Sequence, residues 1–179
     1  MLDDSTIRAA LLRTGQNLTV SRSVEIVLLG GAAAVLTGQL PGTWTTGDVD
    51  LLACQRPEDR DAVLDAAAQA ARELGLPPSW LSEDAGLFAW AVPDGWPRRR
   101  VSVGTFGRLR VFAISRLDLI ATKFAAHREG DLEHLREMRV QAAELAQVRE
   151  LLQQLRRQHP EEAARIELAL RYLDSWECA

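Results

Sequence analysis

The chain has 179 residues, 47% of them hydrophobic and 26% charged, which supplies one soluble domain with an ordinary core and room for a small helical appendage. A net charge of −4 argues against a protein that coats duplex nucleic acid through many phosphate contacts, while leaving room for a local basic patch. Cys54 and Cys178 are too few and too far apart for a disulfide framework or a zinc site. No apolar run reaches the roughly 20 residues that span a bilayer. Met1-Leu2-Asp3-Asp4 is acidic where a signal peptide is basic, so the expectation is a cytoplasmic protein with reduced thiols and no membrane partner.

In chain order, Ile7, Ala10 and Leu11 recur at helical spacing over residues 5–14, with Ser5 or Thr6 as the expected N-cap. Val24 to Leu29 is a β-branched apolar run and reads as a buried strand. Gly30-Gly31 ends it, Ala32 to Leu36 reads as a short helix, and Pro41-Gly42 breaks that helix. Val49 to Ala53 is the next strand, preceded by Asp48 and interrupted by Asp50. Pro57 sits near the start of a long alanine-rich helix, Glu58 to Leu74, stopped by Gly75 and Pro77-Pro78. Residues 79–97 read as irregular, with one short strand near Leu87 to Val92. Residues 100–114 read as a hairpin with its turn at Gly104 to Gly107. Beyond Ser115 the pattern predicts helices near 116–126, 130–138, 140–157 and 161–176. The fold class is therefore α/β (α+β): a small mixed sheet flanked by helices in a domain over 1–138, with a C-terminal helical hairpin over 139–179.

Two features carry the chemistry. A strand running into two glycines and then a helix lets the backbone approach a ligand and offers unpaired N–H groups, which suits phosphate. Tight packing is the plainer reading of Gly30-Gly31 taken alone. In Asp48-Val49-Asp50, residues i and i+2 of a strand share a face, so two carboxylates stand side by side. Their repulsion is relieved by a divalent cation, and Mg²⁺ is commonly held by one or two carboxylates together with substrate phosphates. The plainer reading is a strand end where Asp48 caps the turn and Asp50 faces water. Gly31 precedes Asp48 by 17 residues, enough for one helix and a return loop that brings the two features together.

Leu28-Leu29-Gly30-Gly31-Ala32-Ala33-Ala34-Val35-Leu36, followed by Thr46-Gly47-Asp48-Val49-Asp50-Leu51, resembles the signature of polymerase-β-like nucleotidyltransferases. Within that superfamily the chain is similar to small bacterial nucleotidyltransferase-like proteins related to AbiEii-type toxins of toxin–antitoxin systems. The likeness continues through Leu76 to Ser82, Leu109 to Ser115, Asp118 to Ala126 and Asp131 to Leu135, covering roughly residues 24–136. The resemblance implies a nucleotidyltransferase fold and an NTP substrate. It implies Mg²⁺ (or Mn²⁺) on Asp48 and Asp50, with nucleotide phosphates on Gly30 and Gly31 and a substrate-binding Thr46. Lys123 stands at the position of a site lysine with catalytic and substrate-binding roles, and Asp131 at that of a site aspartate. The acceptor it implies is an RNA end, a protein or a small molecule, and the partner a cognate antitoxin or toxin.

The chain departs from this pattern in several places. Trp44 stands where relatives often carry arginine, Gly130 likewise, and His134 replaces an aspartate. Many active members use a third carboxylate on a later strand, yet residues 95–117 contain no Asp or Glu. The base then comes from Glu83, Asp84 or Asp94, or the domain binds without turnover. Three functional readings stay open: a metal-dependent nucleotidyltransferase, an inactive module that binds a nucleotide or a protein, and a toxin or antitoxin component that works through its C-terminal helices.

Other residues read more plainly. Arg98-Arg99-Arg100 is a solvated hairpin end before it is a grip on phosphate. Lys123 is equally a surface lysine, and Asp131 equally a helix cap. His127, His134 and His159 lack metal-ligand spacing. Cys54 is a small core residue, and Trp80, Trp90 and Trp96 pack the irregular segment.

Overall fold

In the computed structural model, which describes residues 1–177 and only the backbone of residues 84–87, Val24–Leu29 (β1) is the central strand. All six of its residues are buried, because all but Glu25 are large and apolar on both faces of the strand. The sheet has five strands in the order β3-β2-β1-β5-β4, with β2 at Val49–Cys54, β3 at Leu81–Ser82, β4 at Val101–Phe106 and β5 at Leu109–Ala113. The pairs β1/β2 and β4/β5 are antiparallel, while β1/β5 and β2/β3 are parallel, so the sheet is mixed as expected. Contact density divides the chain into two units. The first is Met1–Gly86 with Arg100–Ile114; the second is Leu87–Arg99 with the chain from Ser115 on.

In the first unit one sheet face carries Val24, Ile26, Leu28, Val49, Leu51, Leu109, Val111 and Ala113. It packs with Ile7, Ala10 and Leu11 of α1 (Asp4–Asn17), with Ala32, Ala33 and Leu36 of α2 (Gly30–Leu36), and with alanines of α3 (Arg60–Leu74). Alanine lets these helices lie close, and each buried Leu, Ile or Val contributes about 1.5–3 kcal/mol. The α1 cap is Asp3, whose carboxylate accepts from Thr6 N at 2.8 Å, rather than Ser5 or Thr6, which lie inside the first turn. Pro57–Asp59 forms a 3₁₀ turn ahead of α3, and Gly75 closes α3 in the left-handed conformation (φ +66°).

Two expectations about strands need correction. The hairpin turn is Gly107-Arg108, not Gly104 to Gly107, and β4 runs through Gly104 with a register shift between Ser102 and Gly104. Gly107 (φ +60°) turns the chain where its α-carbon meets Gly15 of α1, so a side chain there would strike backbone at 2.9 Å. The expected strand at Leu87 to Val92 is instead part of a 3₁₀ helix (Asp84–Ala91) and the residues after it. Its apolar run lacks the polar alternation that separates strand from helix. The strand of that region lies earlier, at Leu81–Ser82, where buried Trp80 delivers the chain to the sheet edge beside β2.

The second unit is helical: α4 (Trp96–Arg99), α5 (Arg116–Ala126), α6 (Glu129–Glu137), α7 (Ala142–Gln158) and α8 (Ala163–Asp174). α5 packs against α6, α7 and α8 and buries Leu119, Ile120 and Phe124 completely. The ring of Phe124 meets the edge of Trp176 at 5.3 Å between centroids. At the start of α5, fully buried Asp118 accepts from Ser115 Oγ at 2.6 Å and from Arg99 Nε at 3.0 Å. Among the described residues no helix is long and apolar enough to cross a membrane. Cys178 lies outside the described residues.

Candidate active site

Strand alternation at the start of β2 sends Val49 into the core and leaves Asp50, on the other face, half-buried; Asp48, just ahead of the strand, is half-buried as well. The backbone there is held from both sides. Val49 N donates to Trp80 O at 2.7 Å, and the buried Trp80 indole donates to Ala67 O of α3 at 2.9 Å. On the other side Leu29, the last residue of β1, is in register with Asp50. Gly30 follows at once with φ +74°, and a Cβ placed on it would lie 2.0 Å from Asp50 Oδ2. The glycine turn therefore lies against the Asp50 carboxylate. Gly31, next in the turn, is buried. Thr46, two residues before Asp48, exchanges both backbone hydrogen bonds with Leu2, at 2.7 and 2.9 Å.

The sheet face that bears Asp50 continues through Glu25, Val27 and Leu29 of β1 and Arg110 and Phe112 of β5. Glu25 is buried between two guanidiniums, Arg100 at 2.9 Å and Arg110 at 2.6 Å, and both of these lie over the Phe112 ring, at 4.0 and 5.8 Å. Sequence reading passed over Glu25 and Arg110; a lone acid in an apolar run was the available signal. Glu25 is four residues from Leu29, about 13 Å along a strand, so it stands apart from the acid pair. Strands β4 and β5 contribute no carboxylate. Of the acids nearby in sequence, Glu83 is engaged by Arg60, and Asp94 accepts from Gln158 at 2.7 Å. The Asp84 side chain lies outside the described residues.

The arginine run is not a solvated end. Arg99 is spent on Asp118 and Arg100 on Glu25, while Arg98 is exposed. Trp80 belongs to the core of the first unit; Trp90 meets His159 edge-on at 6.4 Å. Cys54 is half-buried, and burial followed by the charges of Asp59 and Glu83 pushes its thiol up to about 11, which makes it a poor nucleophile.

In the second unit Lys123 is a buried residue of α5, not a surface lysine. Its Nζ donates to Asp131 Oδ1 at 3.0 Å and lies 2.7 Å from His134 Nδ1. An ammonium group has only donors, so Nδ1 accepts and the imidazole proton sits on Nε2. Burial, then the charge of Lys123, lowers His134 to about 4, so the ring is neutral near pH 7. Asp131 is the third residue of α6, and its carboxylate reaches back to the Arg128 backbone N–H at 3.3 Å and to Arg128 Nε at 2.8 Å. It thus caps the helix from within while holding the lysine. Burial works against its ionisation, but the Arg128 hydrogen bond and the Lys123 charge hold the carboxyl below the usual range.

A profile of the family described as "Nucleotidyltransferase of unknown function (DUF6036)" matches residues 9–176. The chain belongs to this family. No curated protein and no solved structure matches it. Membership in DUF6036 makes a nucleotide the implied substrate, and the mixed sheet with flanking helices agrees with it.

The donors at Asp50 also bear on a metal. Among the described residues no group of three or more His, Cys, Asp or Glu side chains comes together. Asp50 is instead flanked by a glycine whose missing Cβ leaves room for its carboxylate, and it is joined in register by Ser82. An all-oxygen set of two carboxylates fits Mg²⁺ or Mn²⁺, which complete their shells with phosphate and water.

Proposed function

We propose that the protein transfers a nucleotidyl group from an NTP to an acceptor. Asp48 and Asp50 would hold Mg²⁺ or Mn²⁺, and Gly30, Gly31 and Thr46 would bind the nucleotide. The observation that carries this reading is the contact of Gly30 with the Asp50 carboxylate: a phosphate-type turn meets the strand that carries the second acid of the pair. The bound cation supplies neutralisation of phosphate charge. Gly30, without a Cβ, keeps the turn open beside Asp50, and the β1/β2 register sets Asp50 next to the end of β1. In the reaction an acceptor hydroxyl oxygen bonds to the α-phosphorus, the bond to pyrophosphate breaks, and the acceptor's proton is released.

Lys123 and Asp131 enter through the resemblance, supported within their own unit by a buried ion pair of the kind found at functional sites. The AbiEii-like setting, with a cognate toxin or antitoxin partner and an RNA or protein acceptor in the cytoplasm, rests on the resemblance as well.

A second reading, an inactive nucleotide- or protein-binding module, is favoured by one observation: β4 and β5 place no carboxylate on the face of Asp50. Thermal unfolding with Mg²⁺ and each NTP, paired with pyrophosphate release, separates the two. A ligand at about 100 times its Kd adds roughly 2.7 kcal/mol. A shift in wild type that is lost in Asp48→Ala/Asp50→Ala, with pyrophosphate release, supports the transferase. A shift without release supports the module. No shift with any nucleotide overturns the nucleotide site.

A further inference from the structure

Three buried side-chain polar atoms among the described residues have no hydrogen-bond partner: Gln39 Oε1, His127 Nδ1 and Ser82 Oγ. Of these only Ser82 is in register with a residue of the acid pair. It pairs with Asp50 across the parallel β2/β3 ladder, so the two side chains leave the sheet on the same face from strands about 4.8 Å apart. A serine hydroxyl is a small rotor with one donor and two acceptor sites, and it normally finds a partner in a folded chain. Burying it unsatisfied costs stability that alanine would not. Ser82 is also placed with care: Trp80, two residues earlier, is locked by its indole bond to Ala67 and by the Val49 bond to its carbonyl.

We infer that Ser82 is a nucleotide-binding residue whose hydroxyl donates to a phosphate oxygen of the substrate beside Asp50. The inference rests on the nucleotidyltransferase reading and deepens it by adding a residue from a third strand element to Gly30 and the acid pair. The physical argument is one of satisfaction. The hydroxyl bonds to no protein group, so its donor is left for a ligand, and a phosphate oxygen is the strong acceptor that the substrate class brings.

The test compares wild type, Ser82→Ala, Ser82→Thr and Asp50→Ala in three measurements. These are apo thermal stability, ATP affinity by calorimetry with Mg²⁺ present, and Mn²⁺ affinity without nucleotide by electron paramagnetic resonance. Ser82→Ala should keep or raise the apo Tm, weaken ATP about tenfold and leave Mn²⁺ affinity unchanged. Ser82→Thr, which restores a hydroxyl on a residue suited to strands, should recover most of the ATP affinity. Asp50→Ala should lose both ligands. If wild type binds ATP and Ser82→Ala binds it equally well, the inference fails while the wider reading stands. A lowered apo Tm with full ATP affinity marks Ser82 as structural. Loss of Mn²⁺ affinity in Ser82→Ala overturns the phosphate role in favour of a metal ligand. Wild type that binds no nucleotide overturns the reading and the inference together.

Discussion

At Gly30 two separate constraints meet. Its φ of +74° lies where an L side chain is strained, and its α-carbon faces the Asp50 carboxylate so closely that a Cβ would overlap Oδ2. Gly30→Ala should therefore cost about 1–2 kcal/mol from the backbone alone, more if Asp50 does not swing away. Chemical denaturation reads the first cost, and loss of the nucleotide-dependent thermal shift reads the second. His134 offers a different handle. Its folded value of about 4 lies below the ordinary 6.5, so between those values the unfolded chain binds the extra proton. Stability is then highest above about pH 6.5 and declines as the pH falls toward 4. The charged groups that face the ring are Lys123, Asp131 and Arg128, and Asp131 is itself held below the usual carboxylate range, so the decline is assigned to the imidazole. Urea unfolding at several pH values should show a flatter profile for His134→Asn, whose side-chain oxygen can replace Nδ1 as acceptor. An equal slope in the variant would remove His134 from the account.

At the level of elements, the longest helices were legible because their signals are local. The α3 stop at Gly75, the α5 span of 116–126 and the entry to the last helix at Pro160 agree with the sequence pattern to within a few residues. The short β3 strand was not legible. Two residues carry no period, and what makes Leu81–Ser82 a strand is the neighbouring β2 edge and the burial of Trp80. Trp80→Phe should remove the bond to Ala67 O, cost about 1 kcal/mol and loosen the acid pair's anchor. Slower hydrogen exchange in wild type at the Val49 amide than in the variant is the matching observation. The entry to α5 makes a larger claim. Asp118 has no solvent exposure, and Arg99 is its cation, so Arg99→Leu leaves a buried carboxylate with Ser115 alone. The expected loss is about 3 kcal/mol, read as a fall in Tm of several degrees.

For the whole molecule, charge balance and site chemistry point in different directions. A net charge of −4 and the engagement of Arg99 and Arg100 by internal carboxylates leave little of the arginine run for duplex phosphates. Duplex DNA should show no measurable binding at about physiological salt in an anisotropy titration, whatever the acceptor proves to be. Sequence alone determined the strand–glycine–helix unit, the β2 strand that carries Asp50 and the helical C-terminal region, because each is written in spacing over a few neighbouring residues. Tertiary structure alone decided that Lys123 is buried, that Glu25 holds an arginine 75 residues away, and that Ser82 stands in register with Asp50. These facts depend on which strands and helices pair across the chain. A local pattern says which face a side chain takes, and only packing says what it meets there.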